Sequence, residues 1–286
     1  MSACRKDRIG AHALKIAAFC IVFVFARASG ASFAETNEYP SPKSTAGSND
    51  AEEIARKLIK AYPGYFSGIE GNFLVWKDGA KMIFDDGIAN KDFATLLEHP
   101  DIKDQFIQKY TVGPLGSPPS ENFDPGRFRN EDFFAKMYGD CEKGEVKPKL
   151  VTIDWLPKKG GGKLKVTSVN KINEKLKAVS DELDNLPVKF DKDLIPAAGI
   201  YNCRDIAGTN LHSMHSYGAA IDISVAEADY WKWSSPDGNG YYQYKNRIPF
   251  EIVDIFEKHG FIWGGKWYHF DTMHFEYRPE LLPDSR

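Results

Sequence analysis

Two short stretches of this 286-residue chain hold the side-chain types that bind a divalent metal. Ser213-Met214-His215-Ser216-Tyr217-Gly218-Ala219-Ala220-Ile221-Asp222 contains a histidine and a carboxylate, and Asp271-Thr272-Met273-His274-Phe275-Glu276 contains a histidine between two carboxylates. Two imidazoles and one carboxylate are what a catalytic zinc takes from protein, because three ligands leave the fourth tetrahedral position open for water. Asp271, three residues before His274, could accept a proton from that water. The residue types point to metal-assisted hydrolysis.

The elements that must position these groups can be read locally. His215 and Asp222 are not spaced as a helical i, i+4 pair, so loop and strand rather than one helix face must present them. Gly218 breaks the segment after His215, and Ala219 to Ile223 reads as a buried strand with one acid in it. A carboxylate flanked by Ile221 and Ile223 is costly unless paired or metal-bound; taken alone, Asp222 is read as readily as a salt-bridged core residue. Met273 to Tyr277 alternates as a strand, with His274 and Glu276 on one face. Glu276 is thus either a rival ligand or the partner that orients His274. Asp271 has the opposite parity, so the chain must bend near Asp271 or Thr272 for it to reach the same water.

The pattern Ser-x-His-x-x-Gly-x-Ala-x-Asp followed by Asp-x-x-His-Phe resembles the zinc peptidase family of D-alanyl-D-alanine carboxypeptidases (VanY-like enzymes), vancomycin-resistance dipeptidases and phage L-alanyl-D-glutamate endopeptidases. The resemblance covers roughly Leu194 to Leu282. It implies that His215, Asp222 and His274 hold zinc, that Asp271 is the general base, and that Arg204 binds substrate, the substrate class being peptidoglycan stem peptides. Ser213, Tyr217 and Trp267 are further candidate substrate contacts. Arg204 could clamp a substrate carboxylate or stabilise a developing oxyanion, and its plain alternative is an ordinary surface arginine. His269 is either an acid or transition-state donor, or an interface histidine within Trp267-Tyr268-His269-Phe270. Family carboxypeptidases often carry Glu where Asp271 stands and the endopeptidase branch often carries Asp, which leans the reading towards an endopeptidase. His212 and His99 read as loop residues, and His259 as a cation at a helix C-terminus.

The start of the chain says where this chemistry would take place. Arg5, Lys6, Arg8 and Lys15 precede the apolar run Ile16 to Ala26, with small residues at Ser32 and Ala34. This is the layout of a secretory signal peptide cut after Ala34, with an uncleaved anchor as the alternative. The expected product is exported, periplasmic or extracellular, without stable membrane insertion. Removing the signal's five basic residues and one acid takes the formal net charge from −3 to −7. An acidic chain is a poor ligand for nucleic acid. Of the four cysteines, Cys141 and Cys203 remain; an exported pair suits a disulfide, the alternative being two buried thiols.

Composition shifts suggest the organisation. Residues 35–49 are a flexible leader. Residues 50–112 form a small N-terminal α+β module: a helix capped by Asp50, a hairpin of Asn72 to Trp76 with Lys81 to Phe84, and helices over 92–97 and 102–110. Residues 113–126, rich in Pro, Gly and Ser, are a linker. A connecting region, 127–168, holds a helix over 127–137 and strands over 151–156 and 164–167. The catalytic domain, 169–286, opens with an amphipathic helix presenting Ile172, Leu176, Val179 and Leu183. Asp85-Asp86-Gly87 lacks the rest of a calcium loop and reads as a solvated turn. The expected fold class is α+β, an antiparallel sheet carrying the ligands with helices packed on one side. Residues 233–245, with Pro236, Gly238 and Gly240, read as a mobile lip over an aromatic-rich cleft.

Three functions fit these observations: an exported zinc peptidase of stem peptides, cutting as a carboxypeptidase or an endopeptidase; an inactive wall-binding module on the same fold; and a zinc dipeptidase or amidase with another substrate.

Overall fold

A computed structural model describes residues 45–283, apart from 207, 208 and 210. The signal segment and its cleavage position lie outside the described residues. The first element, α1 (Thr45–Ala61), begins inside the stretch expected as leader and buries Ile54 and Leu58. It is followed by a three-stranded antiparallel meander, β1 (Phe66–Glu70), β2 (Phe73–Trp76) and β3 (Lys81–Ile83). The β2–β3 hairpin is the expected one; β1 was not, because Gly68 sits at a register shift that breaks its alternation. Among the described residues no helix is long and apolar enough to cross a membrane.

Two expected helices differ. Over 102–110 there is only a 3-10 turn, Lys103–Phe106. Asp101 and Asp104 each accept a hydrogen bond from the other's backbone N–H, at 2.8 and 3.0 Å, and such side-chain bonds compete with a continuing helix. After α2 (Phe93–Glu98), the next helix, α3 (Glu131–Tyr138), starts later than expected because Asn130 is its cap, its side chain accepting from Phe133 N at 2.9 Å. Residues 124–129 therefore run ahead of the helix, and this places Arg127 and Arg129 beside the site.

The β-hairpin β4 (Leu150–Asp154) and β5 (Lys163–Thr167) precedes α4 (Ile172–Leu183), which buries the four predicted apolar positions. A single turn, α5 (Asp191–Leu194), leads to the last sheet. That sheet is antiparallel in the order β6 (Ala220–Asp222), β8 (His274–Tyr277), β7 (Phe261–Trp263). Helix α6 (Phe250–Lys258) covers one face, with the Phe256 and Phe275 rings stacked at 3.8 Å. His274 and Glu276 alternate with Phe275 and so take the other face. The fold is α+β, and the sheet that carries Asp222 and His274 is antiparallel. One hydrophobic core joins Leu58, Phe66 and Leu74 of the N-terminal elements to Ile221, Phe256 and Phe275. The Tyr62 hydroxyl donates to Glu280 at 2.6 Å, tying the end of α1 to the C-terminal segment.

Candidate metal centre

His215 stands on a 3-10 turn, Met214–Tyr217, capped by Ser213, whose hydroxyl accepts from His215 N. The turn ends at Gly218 in the left-handed region, φ 66°, where a Cβ would lie 2.8 Å from Leu150 Cδ2 and 3.2 Å from Thr167 N. Glycine is required on both counts. Asp222 ends β6 and His274 begins β8, and the antiparallel register sets them directly opposite. The register therefore brings the two half-sites together: His215 Nε2 is 3.1 Å and His274 Nδ1 3.0 Å from Asp222 Oδ1, and the two ring nitrogens are 3.2 Å apart.

The outer nitrogens determine what the inner ones offer. His215 Nδ1 donates to the Ile200 carbonyl at 2.6 Å, and His274 Nε2 to Glu276 at 3.0 Å. His215 Nε2, His274 Nδ1 and Asp222 Oδ1 are then three lone-pair atoms facing one point, an arrangement that repels unless a cation lies between them. Tetrahedral ligands about 2.0–2.1 Å from zinc are spaced by roughly 3.3 Å, close to the separations here. The donor set thus fits the metal the sequence suggests. Burial works against charge on His274, yet its hydrogen bonds to Asp222 and Glu276 raise its pKa to about 10. The carboxylates of Asp222 and Glu276 thus favour a positive charge at this point.

Glu276 is the orienting partner rather than a fourth neighbour of Asp222. Fully buried, it accepts from Arg129 Nη2 at 2.5 Å and Nε at 3.3 Å, and from Arg278 Nη1 at 3.3 Å. Burial opposes its ionisation, but Arg129 foremost, with His274 and Arg278, holds it well below the usual carboxylate range. Asp222 is likewise held low by His215 and His274 against its burial.

The expected bend precedes β8. Asp271 pairs with Tyr230 in an isolated bridge, and His274 N donates to the Asp271 carbonyl at 3.2 Å, closing a turn over Thr272 and Met273. This turns the Asp271 side chain into the cavity, where Oδ1 is buried with no hydrogen-bond partner. Burial, chiefly, raises its pKa to about 6. A desolvated carboxylate with an empty acceptor beside three atoms that could hold a metal is suited to take a proton near neutral pH.

A cavity of roughly 330 Å³ is lined by Asp222, Asp271 and His274. Of the expected substrate contacts, Arg204, Ser213 and Trp267 line it, as does His269. Arg204 is exposed, its backbone N donating to Ser216 Oγ at 3.0 Å and its Nη1 to the Asp205 carbonyl at 3.3 Å. Tyr217 does not line it; the ring is buried against Phe134 and Tyr138 on the far side of the turn. Residues two apart on a 3-10 turn point about 240° apart, so His215 and Tyr217 cannot share a face. His269 donates from Nδ1 to the buried Asp124 at 2.5 Å and is packed edge-on against Trp231 at 4.6 Å. The sequence reading missed Arg127 and Arg129, both on the cavity wall.

Cys141 and Cys203 form a disulfide, joining the end of α3 to the residue before Arg204. With its ends 62 positions apart in the sequence, the bond restricts the unfolded chain by about 4 kcal/mol. The double variant Cys141→Ser/Cys203→Ser is expected to lose roughly this much stability and so to melt at a lower temperature; an unchanged melting curve would contradict this.

Asp85, Asp86 and Asp101 form a second acidic cluster, already filled by a side chain. Lys91 Nζ lies 2.6 Å from Asp86, 3.5 Å from Asp101 and 2.5 Å from Asp104, and is itself nearly wholly buried.

Residues 207–277 match a family model described as D-alanyl-D-alanine carboxypeptidase. The match contains both half-sites and supports the resemblance read from the sequence, and with it a peptidase. No curated protein and no solved structure matches the chain.

Proposed function

We propose that the protein is an exported zinc peptidase hydrolysing peptide bonds of peptidoglycan stem peptides, as a D-Ala-D-Ala carboxypeptidase or an L-Ala-D-Glu-type endopeptidase. The observation that carries this reading is the convergence of His215 Nε2, Asp222 Oδ1 and His274 Nδ1 beside the unpartnered Asp271 Oδ1. Zinc there would supply Lewis acidity, polarising the scissile carbonyl and lowering the pKa of a water towards about 7. Asp271 takes the proton from the attacking water at Oδ1 and returns it to the leaving amine. Arg204 orients the substrate through a carboxylate, and Trp267 forms a wall, its indole N–H already committed to the Pro125 carbonyl at 2.8 Å. The disulfide supports export, because such bonds persist in oxidising compartments. The test is mass spectrometry of stem peptides incubated with the mature protein, with chelator and with zinc restored. A chelator-sensitive product identifies the bond by mass; wall binding without metal uptake or any product would favour the binding module.

Metal uptake should also carry a proton signature. The hydrogen bonds to Asp222 and Glu276 raise the His274 pKa, so metal uptake near neutral pH is expected to release a proton from its ring. Calorimetry in buffers of different ionisation enthalpy is expected to show release of about one proton per zinc. The same raised pKa stabilises the metal-free protein fully below pH 6.5, and the contribution disappears as pH rises through about 10. A melting temperature that climbed over that interval would contradict the assignment.

A further inference from the structure

Three arginines cluster beside the triad, and they differ in how far their donors are used. Arg129 is buried and holds both oxygens of Glu276. Arg278, also buried, donates to Glu280 at 2.5 Å, to the Gly126 carbonyl at 2.7 Å and to Glu276; its Nη2 is buried without a partner, but Arg278 does not line the cavity. Arg127 is different. Its side chain is only 13% exposed, and its one carboxylate contact among the described residues is Nη1 to Asp124 Oδ2 at 3.3 Å. That is long for a charge-assisted bond, which runs at about 2.7–2.9 Å. Asp124 is moreover engaged by His269, from both Nδ1 at 2.5 Å and the backbone N at 2.9 Å.

The chain holds Arg127 in place firmly. The Pro125 carbonyl accepts from Trp267 Nε1, and the Gly126 carbonyl from Arg278. Gly126 has φ +97° and a Cβ there would meet Ile262 Cδ1 at 2.4 Å, so only glycine lets the segment press onto β7. The Arg127 guanidinium then lies over the Trp267 ring at 5.8 Å, and that ring is 5.6 Å from His274. A largely buried cation, weakly paired, on a rigid wall of the cavity, is a site prepared for an anion.

We propose that Arg127 is a specificity-determining residue that binds a substrate carboxylate other than the one Arg204 binds, so that the preferred substrate is a peptide with two carboxylates near the scissile bond. This rests on the peptidase reading, which supplies the role of Arg204. Arg127 lies outside the segment matched by the family model, at the start of what the sequence alone marks as a connecting region. Both guanidinium charges act on the phenol of Tyr230, although burial is the larger influence there, which places them in one electrostatic field.

The experiment is binding without turnover. On an Asp271→Ala background, the Kd is measured for a D-Glu-containing stem pentapeptide ending in D-Ala-D-Ala, with both carboxylates free, with each singly amidated, and with both amidated. Adding Arg127→Gln is expected to weaken the dicarboxylate by about 10- to 100-fold and to leave unchanged the peptide amidated at the carboxylate Arg127 reads. Adding Arg204→Gln should show the same dependence on the other carboxylate. Arg127→Lys, which keeps charge but loses the fork, should fall between, and the melting temperature of each variant guards against misfolding. Equal losses across all four peptides, or both arginines coupling to one carboxylate, would overturn the proposal. Coupling in binding with no hydrolysis by the unsubstituted protein would instead remove the peptidase reading and leave Arg127 as an anion-binding residue.

Discussion

Asp271→Ala is expected to keep its metal and its fold while turnover falls by about 10²- to 10⁴-fold, the usual worth of a positioned general base. The three atoms proposed to hold the metal lie on other residues, and Asp271 makes no side-chain hydrogen bond through Oδ1 whose loss would disturb them. Removing a carboxyl that burial already pushes towards its neutral form should not destabilise the protein. Asp271→Asn is the sharper control, because it keeps the shape and loses only the proton-accepting oxygen. Metal content, melting temperature and kcat measured together decide the matter. A variant with normal kcat removes Asp271 as the base, whereas one that loses metal as well makes it a ligand.

Glu276→Ala should have the largest effect on the fold. The carboxylate is wholly buried and receives Arg129, Arg278 and His274. Deleting it strands the Arg129 guanidinium without its carboxylate, and breaking a buried pair in this way costs about 3–5 kcal/mol, equivalent to a fall of roughly 10 °C in Tm for a protein of this size. It also frees the His274 ring to turn or change tautomer, which should weaken zinc by about 10- to 100-fold. Glu276→Gln retains an acceptor for one arginine and should lie between. If Glu276→Ala melted and bound zinc as the unsubstituted protein does, the orienting role given to Glu276 would be wrong.

The sequence was most legible where chemistry and geometry coincide. His215, Asp222 and His274 stand out because their side chains have few other reasons to sit among small and apolar neighbours, and the parity of Asp271 against His274 required the turn that the structure contains. Parity alone could not decide between ligand and partner for Glu276; that needed the distances to Arg129 and His274. Arg127 and Arg129 were hidden because no local pattern ties them to residues so far along the chain. Their one signal was Asn130 before Glu131-Asp132, a helix-start signature that frees the preceding residues from the helix. Strand β7, Phe261-Ile262-Trp263, is buried throughout and has no alternation to read.

The Arg129–Glu276 contact joins residues 147 apart in the chain. Closing so long a loop carries far more conformational entropy than forming the β2–β3 or β4–β5 hairpins, so on the folding pathway it is expected to come after them. His274 would therefore lack its fixed orientation in any intermediate containing only local structure. Tight zinc capture during refolding would then be a late event, and its time course would follow the joining of the two halves of the chain rather than the appearance of secondary structure.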